Sequence, residues 1–216
     1  VAGGEVDLDE AMAVTRDPNG LPMHGLLAAA VGWRVDRHEA SEDGGVLAAS
    51  FDFTDHRELM GAFPFPHEVL FEANLRGPML TITTIVAASG GTSVPISFGY
   101  HPYLQLPGLD RSEWEVEMPV RERLGLDDRM LPTGGREHVQ VEAGPLGART
   151  FDDAYLAPEQ GGPFVLAGGG RRIELRFGPG YRFAQVYAPS DDDVVAYEPM
   201  TAPTNALVAG GPDLLL

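Results

Sequence analysis

The chain has 216 residues, 27 of them glycine and 18 proline, and 44% are apolar, which suits a turn-rich globular domain with a sizeable core. Its net charge of −17, from 15 basic against 32 acidic residues, excludes binding that runs on nucleic-acid phosphates or anionic lipid, since both need positive charge. All 15 basic residues are arginine and there is no cysteine, which removes Schiff-base and P-loop lysines, a cysteine nucleophile, a thiolate zinc site and a disulfide framework. A neutral small ligand suits this surface better. No apolar run approaches the roughly 20 residues that span a bilayer, and no basic segment followed by an apolar one opens the chain. The expectation is therefore a cytoplasmic protein without membrane contact, compatible with the lack of cysteine.

From the N-terminus, Val1 to Leu8 reads as if it starts inside a hairpin. Leu21-Pro22-Met23-His24-Gly25 puts a histidine before a glycine in a turn, and Leu26 to Val31 is the one stretch that passes for a short helix. Extended runs follow at Val46 to Phe53, Glu68 to Leu75 and Met79 to Ala88, and Arg76-Gly77-Pro78 folds the second onto the third as a hairpin. Further strands are expected at Val94 to Phe98, Glu113 to Val120, His138 to Glu142, Arg172 to Phe177, Phe183 to Tyr187 and Val194 to Tyr197. Apolar residues take every second position in Arg172 to Phe177, and Trp114, Val116, Met118 and Val120 repeat that half-buried pattern. Gly168-Gly169-Gly170 precedes a strand instead of opening a helix, so it reads as a hairpin turn and not as a dinucleotide fingerprint. Asp191-Asp192-Asp193 lacks the alternating spacing of a calcium loop and reads as a solvated turn. Asp213-Leu214-Leu215-Leu216 stops on three leucines, and two such abrupt ends suggest a fragment of a longer chain. Without a long 3.6-period segment, the expected fold class is all-β: an antiparallel β-sandwich, as a single domain over residues 1–216.

Six histidines occur, at 24, 38, 56, 67, 101 and 138, and none stands in a His-x-His or His-Glu-x-x-His arrangement, so a metal site with local ligand spacing is not expected. No Gly-x-Ser-x-Gly elbow places a serine nucleophile. The stretch Phe98-Gly99-Tyr100-His101-Pro102-Tyr103 delivers one histidine on a stiff loop among three aromatic rings, and Pro102 holds His101 out of helical geometry. Such a loop suits a pyranose, whose C–H faces lie on aromatic rings while its hydroxyls need a few placed polar groups. Read alone, it is equally a buried loop whose histidine donates to a backbone carbonyl. Thr150-Phe151-Asp152-Asp153-Ala154-Tyr155 sets paired carboxylates beside aromatics. In Val195-Ala196-Tyr197-Glu198-Pro199-Met200-Thr201 a carboxylate closes an apolar strand before a proline expected to stop the ladder, so Glu198 is either a rim charge or a group facing a cavity.

Together, His24-Gly25, Phe98-Gly99-Tyr100-His101-Pro102-Tyr103, Phe151-Asp152-Asp153 and Tyr197-Glu198-Pro199-Met200-Thr201 resemble the aldose 1-epimerase (galactose mutarotase) family in order and approximate spacing, over nearly the whole chain. The resemblance implies a galactose mutarotase-like β-sandwich with an open sugar cleft. It implies that His101 is the general acid toward the pyranose ring oxygen and Glu198 the general base on the anomeric hydroxyl. His24 and Asp152 would hold sugar hydroxyls, Asp152 being preferred to Asp153 as the first acidic residue of the motif. The implied activity interconverts the α and β anomers of a free hexose such as galactose or glucose, without cofactor or metal. Ring opening needs a proton delivered to the ring oxygen while one leaves the C1 hydroxyl, and reference pKa values of roughly 6.5 for His and 4.3 for Glu lead one to expect an ionised glutamate and a partly protonated histidine at neutral pH. The family's sugar-contacting arginine, upstream of the His-Gly motif, has no counterpart, since Arg16 lies in no matching segment, and the C-terminal strand expected after Leu216 is missing. The second reading is therefore a carbohydrate-binding sandwich that keeps the cleft without turnover. A phosphorylated sugar would additionally need a cationic pocket.

Overall fold

Glycine and proline cut the chain into short extended segments, and the computed structural model, which describes residues 14–28, 30–158, 162–211 and 214, pairs them antiparallel in every ladder among the described residues. The expectations for Val1 to Leu8 and for the last leucines fall largely on residues outside that set. The chain divides into two compact units after Pro95.

In the first unit, β1 (Thr15–Arg16) and β2 (Pro22–Met23) form a short pair, and β3 (Arg34–Ser41), β4 (Gly44–Asp52), β5 (His67–Arg76) and β6 (Met79–Ala88) form a four-stranded meander. The β5–β6 hairpin closes on Gly77-Pro78, with Arg76 opposite Met79 and Gly77 at a φ of 53°, a value that glycine adopts at little cost. Phe51 and Val69 lie opposite each other on one face and pack with Phe53 and with Leu59 of α1 (Arg57–Ala62). Leu26 and Leu27 pack on this cluster from a turn and not from the expected helix, because so short a run after the left-handed Gly25 cannot recover the cost of a helical nucleus.

The second unit holds β7 (Tyr103–Leu104), β8 (Glu115–Glu117), β9 (Glu122–Leu126), β10 (Pro132–His138), β11 (Gly144–Pro145), β12 (Phe151–Leu156), β13 (Phe164–Gly168), β14 (Arg171–Leu175), β15 (Phe183–Ala188), β16 (Val195–Met200) and the single turn α2 (Ala206–Ala209). A six-stranded sheet runs β10-β9-β12-β15-β16-β7 and a four-stranded one runs β11-β8-β13-β14. Their shared core contains Trp114, Val116, Met118 and Val120, as the alternation predicts, together with Leu166, Val186 and Tyr197. Tyr197 donates its hydroxyl to the Val165 carbonyl at 2.7 Å, which satisfies a buried polar group and ties β16 to β13. Gly169 and Gly170 turn β13 into β14 with φ of 55° and 76°, confirming the hairpin.

Two strand expectations shift. Val94 to Phe98 forms no strand and makes isolated contacts only, while the segment expected at His138 to Glu142 ends its ladder at His138. Strands β9 and β13, most of β10 and the two-residue strands were also not expected, and two of the unexpected longer strands, β3 and β12, carry no apolar alternation to reveal them: β3 is exposed along its whole length, and β12 is interrupted by Asp152-Asp153.

Candidate active site

Strands β12, β15 and β16 lie side by side with Asp152 opposite Tyr187, Ala154 opposite Gln185, and Gln185 opposite Glu198. Since Tyr155, Val186 and Tyr197 point into the core, the period of two sends Asp152, Gln185, Tyr187 and Glu198 to the other face. Tyr103 of β7 joins them opposite Ala196. Asp153 takes the core-side parity instead, held by Arg123 Nη1 at 3.3 Å and by the Tyr155 hydroxyl at 3.3 Å.

The loop before β7 is fastened to the far end of β16. Thr201 N–H donates to the Phe98 carbonyl at 2.9 Å, Phe98 N–H donates to Thr201 Oγ1 at 2.9 Å, and Tyr100 N–H donates to the Pro199 carbonyl at 3.1 Å. That last bond corrects the expectation that Pro199 stops the ladder. β16 runs through to Met200, with Pro199 opposite Ala184, because the Pro199 carbonyl faces the loop and its nitrogen faces the same way, so the ladder to β15 loses no donor. Gly99 is where the loop comes closest: a Cβ there would meet the Met200 sulfur and would lie 2.6 Å from the Pro199 carbonyl oxygen. Gly99→Ala is expected to cost about 2 kcal/mol in thermal or urea denaturation, and an unchanged melting temperature would contradict so tight an approach.

Fastened in this way, the loop brings His101 Nε2 to 3.2 Å from Glu198 Oε1. Tyr103 lies against the imidazole with ring centroids 4.6 Å apart, and Tyr187 stands at 6.3 Å. Phe98 and Tyr100 pack instead with Tyr181. Of the three loop aromatics, then, Tyr103 is the one that borders His101, and it is 57% exposed, within reach of a ligand.

Glu198 is only 7% exposed. Burial, assisted by the nearby Asp152 charge, pushes its carboxyl up from 4.5 to about 8. The reference value led to an ionised glutamate at neutral pH; in this setting burial favours the protonated carboxyl, the charged form having only His101 beside it in place of lost water. Asp152 is also raised by burial, against which the Gln185 amide donates to its carboxylate at 2.8 Å.

Gln185 and Tyr187 were not singled out from sequence, although a polar glutamine between Ala184 and Val186, both buried, marks the strand's second face. His24 belongs to the first unit, exposed just after β2, with a left-handed φ of 64° that a non-glycine residue adopts at some cost. Among the described residues no three histidine, aspartate or glutamate side chains gather as metal ligands, and no helix is long and apolar enough to cross a membrane.

The sequence pattern of the aldose 1-epimerase family matches residues 2–210. Among solved structures, a galactose mutarotase-like protein from Clostridium acetobutylicum is similar with a TM-score of 0.74 at 17% identity, over 85% of this chain and 61% of that one. The Slr1438 protein of Synechocystis is similar at 0.71 and 24% identity, over 94% and 68%. A galactose mutarotase related enzyme from Lactobacillus acidophilus is similar at 0.71 and 16% identity, over 91% and 69%. At these identities the likeness is one of fold, and the chain spans 61% to 69% of those structures' lengths. No curated protein matches. The family pattern covers nearly every residue of an all-β, galactose mutarotase-like fold, and the chain therefore belongs to the aldose 1-epimerase family.

Proposed function

We propose that the protein is an isomerase that interconverts the α and β anomers of a free aldose, a hexose such as galactose or glucose, by acid/base opening and closing of the pyranose ring. The observation that carries this reading is the 3.2 Å contact between His101 and Glu198. Glu198 holds a proton up to about pH 8, and across that contact the proton passes to His101, leaving a carboxylate base beside an imidazolium acid. His101 then protonates the ring oxygen as Glu198 takes the proton of the C1 hydroxyl, the C1–O5 bond breaks, and the open-chain aldehyde forms. The pair still holds one proton, now on Glu198. Rotation about C1–C2 presents the other face of the aldehyde, the ring oxygen attacks C1, its proton returns to His101, and the new C1 alkoxide takes the proton from Glu198. Atoms and charge balance over the cycle, with no external reactant.

Asp152, steadied by Gln185, accepts hydrogen bonds from ring hydroxyls, and Tyr103 offers an apolar face. The test is polarimetry on freshly dissolved α-glucose and α-galactose: catalytic amounts of protein should speed the approach to equilibrium. Calorimetric binding without any rate effect would favour the non-catalytic carbohydrate-binding reading instead.

Loss of the pair's proton removes the acid, so kcat/KM should fall above about pH 8. Because the Asp152 charge helps to raise Glu198, Asp152→Asn should move that alkaline limb to lower pH while raising KM by about tenfold for a lost charged hydrogen bond. A limb that stays in place in Asp152→Asn would show that Asp152 does not act on Glu198.

A further inference from the structure

Beyond Glu198 the site face continues into an apolar notch that the proposed anomer chemistry does not use. It has room for about 20 Å³, that of a single water or methyl group. Leu124, Ala154, Phe183, Ala184, Met200 and Pro203 wall it, and Gln185 and Thr204 are its polar members. A water there would have little to bond with among the apolar walls, whereas a methyl group would lose hydration and gain close packing.

Its place relative to the acid/base pair says which sugar carbon faces it. Along β16 the site face carries Ala196, Glu198 and Met200 in steps of about 7 Å. His101 stands toward the Ala196 end, since its two aromatic neighbours, Tyr103 and Tyr187, both pair with Ala196. The notch lies toward the Met200 end, on the opposite side of Glu198. In a pyranose, C1 lies between the ring oxygen and C2. A ring with its oxygen at His101 and its C1 hydroxyl at Glu198 therefore directs C2 toward Gln185, and the substituent on C2 toward the notch. Past Gln185, the neighbouring strand β12 brings Asp152 to the hydroxyls further round the ring.

We infer that the site accepts aldoses carrying an acetamido group at C2, with the acetyl methyl in the notch formed by Ala154, Phe183, Met200 and Pro203 and the amide between Gln185 and Thr204. Gln185 spends one N–H on Asp152, which leaves its carbonyl oxygen to accept the acetamido N–H. The Thr204 hydroxyl donates to the acetyl carbonyl. Two polar side chains thus meet the two polar groups of the amide, and the apolar wall meets its methyl. A bare hydroxyl at C2 leaves the notch unfilled.

This inference rests on the proposed placement of the sugar, and binding separates it from catalysis. Isothermal calorimetry should compare N-acetylglucosamine with glucose and N-acetylgalactosamine with galactose on the whole chain. At least one acetamido sugar should bind about tenfold more tightly than its parent, the scale set by filling a small apolar pocket. Ala154→Val, which fills the notch with a residue at home in a strand, should bring that ratio close to one. Neither acetamido sugar binding more tightly than its parent, binding of none of the four, or a ratio unchanged in Ala154→Val would each overturn the inference. Acetamido-selective binding without any acceleration of mutarotation would leave it standing and sink the proposed catalysis; acceleration without acetamido preference would do the reverse.

Discussion

Glu198→Gln should remove the acceleration of mutarotation, lowering kcat/KM by about 10³-fold while changing sugar affinity by less than about threefold. The amide keeps the shape and the buried position of the carboxyl, but it cannot take the C1 hydroxyl proton, and a side chain only 10% exposed leaves little room for a water to act in its place. Polarimetry and calorimetry on the same preparation check both halves. A variant that accelerates mutarotation like the parent would end the assignment of Glu198 as base.

The same substitution carries a stability signature of fixed sign. Glu198 titrates near 4.5 when unfolded and at about 8 when folded, so between those values the folded state binds more protons and stability falls as pH rises. The contribution is whole below about pH 4.5 and lost by about pH 8, with an upper bound of about 5 kcal/mol at roughly 1.4 kcal/mol per pH unit. Glutamine has no charge to bury. The melting temperature of Glu198→Gln should therefore gain on the parent as pH rises from 5 to 8 and hold that gain above it. A constant difference across this range would mean that Glu198 is not held neutral by its surroundings.

His101→Asn is the second large effect, a loss of about 10² to 10⁴ in kcat, the usual span for removing a positioned acid. Asparagine cannot deliver a proton to the ring oxygen, and it takes away the group that receives the proton from Glu198 at 3.2 Å. KM should change little, since the hydroxyl contacts proposed for Asp152, steadied by Gln185, are untouched by this substitution. Free imidazole in the buffer should restore part of the rate in this variant and none in Glu198→Gln. Rescue of both, or of neither with kcat unchanged, would show that His101 is not the proton donor.

How much of the site could be read in advance varies from residue to residue. His101 announces itself through the aromatics and prolines around it, yet those neighbours do not all serve it: Phe98 and Tyr100 turn to Tyr181, and Tyr187, more than eighty residues on, takes a place beside the imidazole. Asp152 and Asp153 are adjacent acids that sequence separates only through the family motif, whereas the pleat of β12 puts one on the site face and the other against Arg123 and Tyr155. Gln185 is a single polar residue in an apolar strand, and what gives it meaning is its register partner, Glu198. The proline after Glu198 was expected to end a strand; its orientation toward the loop, settled by the Tyr100 bond, lets the strand continue to Met200.

Local patterning was enough for the fold class and for seven of the nine strands expected from it, because alternation of apolar side chains and the placing of glycine in turns are properties of consecutive residues. It was also enough to exclude lysine and cysteine chemistry and to bring forward the motifs of the aldose 1-epimerase family. Register lay beyond it. Which face a carboxylate occupies, which glutamine stands opposite it, and whether a loop histidine comes within 3.2 Å of it depend on hydrogen bonds between segments about a hundred residues apart, such as those joining Phe98 to Thr201. The protonation of Glu198 lay beyond it too, because a carboxyl's pKa is set by how much water and charge the folded chain leaves around it.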